Sequence, residues 1–335
     1  MSRSALWALV TILLAPAIGA WAGPARADNP YGVMLFPNPG EDYALTLARA
    51  RGLGVTWFRP PTIALQSGSM GAPQAFLKSG LKLAITIRNS TDPSSRAAAG
   101  PPADLAAFRK SVDAVLTAWR PSLLVVENEE DQTLTYNAGS EPTQAAQAYG
   151  AELTEACVAA HEAKTACTNG GLSTRVAVYL TWLGYLAANE ADRACDFARR
   201  AIGEDGCKYR SVDQLPLGLR TKVFDPAMRF LDLYRTAPID FVNFHWFGPD
   251  SRAFAETADF LSHATGKPAV TNEFGQRSGA DPQLVRPLLR AVIAEQMPLA
   301  IWYSLDTANT VSLFGPDGRL RPTGWEFQRQ LSGLR

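Results

Sequence analysis

Histidine is scarce in this chain, with three in 335 residues, at positions 161, 245 and 263. They do not stand at the spacings by which neighbouring histidines share a metal ion, so a histidine-built metal centre is not expected. Cysteine is nearly as sparse. The four cysteines make no CxxC step, which leaves zinc without its usual sulfur framework. Net charge is lacking as well: 32 Lys and Arg balance 32 Asp and Glu. Nothing electrostatic therefore favours nucleic acid or an anionic membrane as partner. Past the first 27 residues no apolar run is long enough to cross a bilayer. Internal repeats are absent, and low complexity is confined to an Ala/Pro stretch near residues 97–103.

The beginning of the chain is different in kind. Arg3 gives a short positive start, residues 5–22 are mostly apolar, and Ala25-Arg26-Ala27 is a small-x-small step. This is the pattern of a secretory signal peptide cut after Ala27. It implies an exported protein, periplasmic or extracellular, whose single domain occupies residues 28–335. Pro16 and Gly19 break the apolar run and argue against a retained anchor. An even cysteine count in an exported chain suggests two disulfides. Three pairings of Cys157, Cys167, Cys195 and Cys207 are possible. The sequence-local one, Cys157–Cys167 with Cys195–Cys207, is preferred because both loops are short.

The chain is organised around Leu123-Leu124-Val125-Val126, which runs straight into Glu127-Asn128-Glu129-Glu130. A continuous aliphatic run of this kind fits a strand buried on both faces. Carboxylates at its end are tolerable only at an open rim. Seven further strand-like runs are expected over residues 31–36, 55–58, 81–87, 165–170, 241–244, 268–272 and 298–303. Helical spacing separates them, clearest over 104–119, where Leu105, Phe108, Val112, Val115, Leu116 and Trp119 recur every three or four residues. Residues 174–215 are the least regular part and read as an elaborated loop-and-helix insertion between strands five and six. Strand–helix alternation repeated eight times implies an α/β chain closed as a (β/α)₈ TIM barrel.

Just after these runs stand Arg59, Arg88 and Asn89, Asn128 and Glu129, His245 and Trp246, Glu273, and Trp302 and Asp306. A barrel would bring them to one rim. Two glutamates among cations, amides and tryptophans suit hydrolysis of a glycosidic bond: one carboxylic acid protonates the leaving oxygen, the other carboxylate attacks the anomeric carbon. Aromatic faces would hold the apolar side of a sugar.

This set resembles the retaining glycoside hydrolases of clan A, the (β/α)₈ group marked by Asn-Glu ending the fourth strand and Glu ending the seventh. Here those are Asn128-Glu129 and Glu273, the latter in Thr271-Asn272-Glu273-Phe274-Gly275. The resemblance runs through the whole mature chain. It implies Glu129 as general acid/base, Glu273 as nucleophile and Asn128 as partner of the sugar 2-hydroxyl. Arg59 would keep Glu273 ionised, Trp302 would form the sugar floor, and His245 would stand beside the nucleophile. Trp246 and Asn89 join the expected substrate contacts. The tyrosine common after the sixth strand is missing, since His245-Trp246-Phe247-Gly248 stands there, and Tyr303 or His245 is the substitute. The partner would be an oligo- or polysaccharide, the protein a monomer, and no metal or organic cofactor is called for.

Other readings stand beside these. A barrel that binds glycans without cleaving them would carry the same rim, and so would a transglycosylase. Glu127 is expected buried and hydrogen-bonded, whereas Glu130 and Asp131 are expected to be solvated loop acids. His161 and His263 are expected on helix surfaces. Trp182 and Tyr185 fit core packing at least as well as sugar stacking.

Overall fold

The computed structural model describes residues 29–36, 42–68, 70–92, 99–132, 142–277, 281–307 and 311–333. The expected signal peptide and the expected loop at 37–40 lie outside the described residues.

Eight parallel strands form the centre: β1 (Tyr31–Met34), β2 (Trp57–Arg59), β3 (Lys82–Arg88), β4 (Leu123–Val126), β5 (Ala166–Asn169), β6 (Val242–Trp246), β7 (Ala269–Gly275) and β8 (Ala300–Tyr303). Each of β1 to β4 pairs with the next, β8 pairs with both β1 and β7, and β7 pairs with β6. Single bridges Thr168–Phe241 and Leu172–Phe244 join β5 to β6. The result is a (β/α)₈ barrel. A two-residue strand, Ile63–Ala64, lies beside the end of β3.

Alternation along each strand divides the apolar residues into two sets. Met34, Ala84, Leu123, Val125, Val270, Leu299 and Ile301 pack together inside the barrel. The other set, including Ile85, Val126, Phe244, Phe274 and Trp302, faces the helices. Gly32 makes room within the ring, because a Cβ there would lie 2.7 Å from the Cβ of Trp57.

The helices are α1 (Tyr43–Leu53), α2 (Gln74–Leu77), α3 (Leu105–Trp119), α4 (Pro142–Glu162), α5 (Thr174–Ala187), α6 (Ala191–Ala201), α7 (Leu217–Leu219), α8 (Asp225–Thr236), α9 (Ser251–Thr265), α10 (Pro282–Ala294) and α11 (Pro322–Ser332). Asp42, Asp104, Asp250 and Asp281 cap α1, α3, α9 and α10 by accepting free first-turn N–H groups. Such an aspartate just before a periodic run is a start signal that the sequence displays openly.

Three features differ from expectation. First, residues 174–215 are more regular than expected, since α5 and α6 account for most of them. The apolar face of α6 (Ala194, Phe197, Ala198) is buried, and Trp182 and Tyr185 are core residues packed against Phe224 and Phe197. Arg200 ties α6 to α9 through Glu256 (3.0 Å) and Asp250 (3.2 Å). Second, several strands extend beyond their aliphatic runs, so Arg59, Arg88, His245, Trp246 and Glu273 lie within strands rather than after them. Third, β7 holds one more residue than either neighbour between its paired positions: His245 and Asn243 of β6 span two steps where β7 takes three, and the offset recurs against β8. This is a bulge, which resets the side to which later side chains point.

Both expected disulfides are present. Cys157–Cys167 joins α4 to β5, and Cys195–Cys207 joins α6 to the 3₁₀ turn Glu204–Lys208. Among the described residues no helix is long and apolar enough to cross a membrane.

Candidate active site

Beyond Val126 the chain leaves the extended region. Glu127 and Glu129 both take positive φ, 69° and 48°, a conformation that costs an ordinary side chain roughly 1–2 kcal/mol. The tight path at the β4 end brings Asn128 and Glu129 to the rim, half-buried. On the far side of the barrel, the bulge in β7 lets Asn272 and Glu273 both reach the interior although they are consecutive.

Arg59 links these two strand ends. Its Nη1 donates to Glu273 Oε1 at 2.5 Å and to the Asn272 carbonyl at 3.3 Å, while Nη2 donates to Asn128 Oδ1 at 3.3 Å. The guanidinium is 1% exposed and Glu273 12%, so the pair interacts with little screening. His245 sits between the glutamates. Its Nδ1 lies 3.1 Å from Glu129 Oε1 and 3.9 Å from Glu273 Oε2. Gln132 donates from Nε2 to Glu129 Oε2 at 2.7 Å.

Electrostatics follows from this arrangement. Burial resists charge on Glu273, but His245 and Arg59 outweigh it and hold its pKa below the usual carboxylate value. Burial likewise resists an imidazolium at His245. Glu273 and Glu129 overcome that penalty, and the pKa is raised.

Three buried asparagines form a chain that reaches His245: Asn169 on β5, Asn243 on β6 and Asn272 on β7. Oδ1 of Asn272 lies 3.0 Å from His245 Nε2 and accepts from Asn243 Nδ2 at 2.7 Å. Sequence reasoning passed over all three. Their signal was available: an amide inside an otherwise apolar strand must find partners there. Gly170 and Gly171, just past β5, allow two close approaches. A Cβ on Gly170 would lie 2.5 Å from Glu130 Oε2, and one on Gly171 (φ 101°) would lie 2.4 Å from His245 Nε2.

Behind β4 lies a second group of acids. Glu127 is fully buried and accepts from the Asn89 N–H at 2.5 Å, with Arg88 at 3.6 Å. Burial pushes its pKa up to about 7. Glu130 and Asp131 are not solvated loop acids. Glu130 is 2% exposed and accepts from Tyr234 and from Asn169 Nδ2, and burial raises its pKa to about 7. Asp131 accepts from the Ser173 N–H at 2.8 Å and from its hydroxyl at 2.6 Å. The backbone turns at Glu127 and Glu129 fold these side chains back toward α5 and α8.

The two tryptophans expected to meet substrate are elsewhere. Trp302 is 1% exposed and packs edge-on against Phe274 and Phe327, between barrel and helix α11. Trp246, also 1% exposed, packs against Phe254 of α9 and donates to the Gly248 carbonyl at 3.0 Å. Both occupy the outward phase of their strands, and their neighbours His245 and Tyr303 take the inward phase. Asn89 is buried and committed to its own loops, donating to the Gly100 carbonyl and accepting from Gln66. Tyr303 is half-buried, with Phe36 and Phe247 edge-on to it at 5.5 Å. Its hydroxyl pKa is raised by burial and by the negative charge of Glu273. Asp306 accepts from the Phe36 N–H at 2.9 Å and so holds that wall in place. His161 and His263 are exposed on α4 and α9.

Among the described residues no group of three or more His, Cys, Asp or Glu is arranged to hold a metal ion. What the rim offers is an ionised carboxylate held by a cation, a second carboxyl across a shared imidazole, and a half-buried aromatic wall.

No protein-family model matches the sequence, and no curated protein does. Solved structures do resemble it. One is a family 39 glycoside hydrolase from Bacteroides cellulosilyticus WH2, at 14% identity and TM-score 0.55, covering 92% of this chain and 64% of that one. This chain therefore spans less than two thirds of that enzyme. A GH30 endoxylanase from Clostridium papyrosolvens C71 gives 11% identity and TM-score 0.56, over 92% of this chain and 73% of that one. The catalytic domain of the major endoglucanase from Xanthomonas campestris pv. campestris gives 12% and 0.54, over 93% and 96%. At such identities the likeness is one of fold, and it agrees with the barrel that the clan A resemblance implied.

Proposed function

We propose that this chain is a retaining glycoside hydrolase acting on a β-linked oligo- or polysaccharide, exported after removal of residues 1–27. The observation that carries the reading is the meeting of two carboxylates at one histidine nitrogen. Oxygens at 3.1 and 3.9 Å from the same atom can be no further apart than those distances together. That limit admits the roughly 5–5.5 Å of a retaining pair and only the short end of the roughly 6.5–9.5 Å of an inverting one.

In this reading Glu273, kept ionised by Arg59 and His245, attacks the anomeric carbon. Glu129 gives its proton to the departing oxygen. In the second step Glu129 takes a proton from water, the water oxygen displaces Glu273, and the sugar leaves with its configuration retained. Asn128, oriented by Arg59, would meet the 2-hydroxyl. The aromatic wall of Tyr303, Phe36 and Phe247 takes the part first expected of Trp302, because it is partly open and Tyr303 feels the charge of Glu273. The neighbours' described activities, on xylan or glucan, support a glycan substrate here without selecting one.

Sugar release from a panel of β-linked glycans, with Glu273→Ala alongside, tests the proposal. The expected result is activity in the parent and its loss, by about 10³-fold or more, in the variant. Equal activity in both would remove Glu273 as nucleophile. Glycan affinity without turnover in the parent would favour a binding barrel, and longer oligosaccharide products would favour transglycosylation.

A further inference from the structure

The asparagines on β5, β6 and β7 are oriented from main-chain groups outward. An N–H can only donate, so the atom of Asn243 that meets the Asn272 N–H at 3.1 Å is Oδ1. Nδ2 of Asn243 is thereby turned toward the Asn169 carbonyl (3.1 Å) and the Asn272 side chain (2.7 Å). The Asn272 atom that receives it must be Oδ1. Inverting the Asn272 amide would set Nδ2 against Nδ2, donor against donor. Asn169 is fixed in the same way, by the Asn243 N–H at its Oδ1 (2.7 Å), with Nδ2 reaching Glu130 Oε1 (2.9 Å). Oδ1 of Asn272, with no hydrogen of its own, also faces Nε2 of His245 at 3.0 Å. That contact is a hydrogen bond only if Nε2 carries the hydrogen.

We infer that Asn243 and Asn272 are positioning residues that keep His245 protonated on Nε2, leaving Nδ1 as its exchanging nitrogen and Glu129 as the group with which it shares a proton. The inference rests on the proposed role of Glu129 as acid/base. The charged groups around His245 are Glu129 beyond β4, Glu273 on β7 and Arg59 on β2. One proton serves the pair. It lies on Glu129 Oε1 and points at the Nδ1 lone pair, or it lies on Nδ1 and points at the Glu129 carboxylate. Transfer between these arrangements spans 3.1 Å and changes no other bond. When the proton passes to the leaving oxygen, Glu129 is left ionised and His245 neutral. The proton taken later from water restores the pair. Loss of that shared proton sets the alkaline limb of activity, so that limb belongs to the pair and not to Glu129 alone.

The test uses full-length mature protein labelled with ¹⁵N-histidine. Long-range ¹H–¹⁵N correlation distinguishes the two tautomers. With three histidines in the chain, His245 is identified by the signal lost in His245→Gln. The expected spectrum shows Nε2–H throughout the titration, with Nδ1 alone gaining and losing its proton. Glu129→Gln should lower the His245 midpoint by about one pH unit, because Nδ1 loses a carboxylate partner. Asn272→Ala should mix the tautomers and lower the midpoint, whereas Asn272→Asp should keep Nε2–H and raise it. A role in packing alone would not move the midpoint in opposite directions. Neutral His245 bearing its hydrogen on Nδ1 would overturn the inference, and so would a midpoint indifferent to Glu129→Gln. Should the Asn272 variants fail to fold, the parent and Glu129→Gln spectra decide. These readings need no substrate, so failure of the glycosidase proposal shows separately, in the sugar-release assay.

Discussion

Arg59 binds the two halves of the rim, giving one nitrogen to Glu273 and the other to Asn128. A lysine ammonium has neither the planar fork nor the reach for both. Arg59→Lys should therefore lower kcat/KM by about 10²-fold, with the barrel intact by circular dichroism. Gly171 serves the opposite flank. Gly171→Ala would place a methyl 2.4 Å from the His245 ring at a φ of 101°. The expected outcome is loss of most activity in the sugar-release assay together with a displaced His245 NMR signal. Much of this rim could be read from residue type. Arg59, Asn128, Glu129, His245 and Glu273 were expected together and stand together. What failed was phase. A buried tryptophan at a strand end says nothing about which side of the sheet it faces, and Trp246 and Trp302 lie one residue out of step with the inward positions. Counting from Ile301, which packs inside the barrel, points to Tyr303 instead.

At the scale of elements, the disulfides offer a direct test. Cys157–Cys167 closes a short loop, 10 residues in separation, between buried positions on α4 and β5. Replacing both by serine should lower unfolding free energy by about 2–4 kcal/mol, read as a shift in denaturant midpoint with little change in slope. The aliphatic cores of the strands were legible because a run such as 123–126 has few alternative readings. The polar ends of β6 and β7 were not, since His245 and Glu273 look like loop residues until their buried partners are known. The bulge in β7 leaves no mark in composition at all. The insertion was misjudged for another reason: α5 is apolar on nearly every side, so it lacks the two-faced pattern that announces a surface helix.

Over the whole molecule, buried acids shape the response to pH. Glu127 and Glu130 have pKa values of about 7 in the folded chain against 4.5 for the free group. Between those values the folded state holds more protons than the unfolded state, so their contribution falls as pH rises and is lost above about 7. Glu273 runs the other way. Its lowered pKa gives a contribution present above the ordinary carboxylate range and lost in acid. Thermal stability should peak on the acid side of neutrality and decline toward pH 8. Glu130→Gln, which mimics the protonated acid, should flatten that decline in a series of melting curves. The eightfold alternation was plain in the sequence. How the ring closes was not, since the two consecutive strands that meet there are separated by the stretch that holds α5 to α8.

The closure joins β5 to β6, away from the first and last strands, where an ordinary ladder runs between β1 and β8. Within that seam the side chain of Asn169 stands in for a main-chain acceptor, receiving the Asn243 N–H. Asn243 of that seam in turn holds Asn272, the amide against which the imidazole leans. Mechanical integrity and chemical competence share a component, and the weaker of the two should surrender first. In a urea titration, turnover should disappear before the far-ultraviolet signal of the barrel does, and amide exchange should begin at the seam. Coincident loss of both signals would mean that the seam is as strong as the rest of the ring.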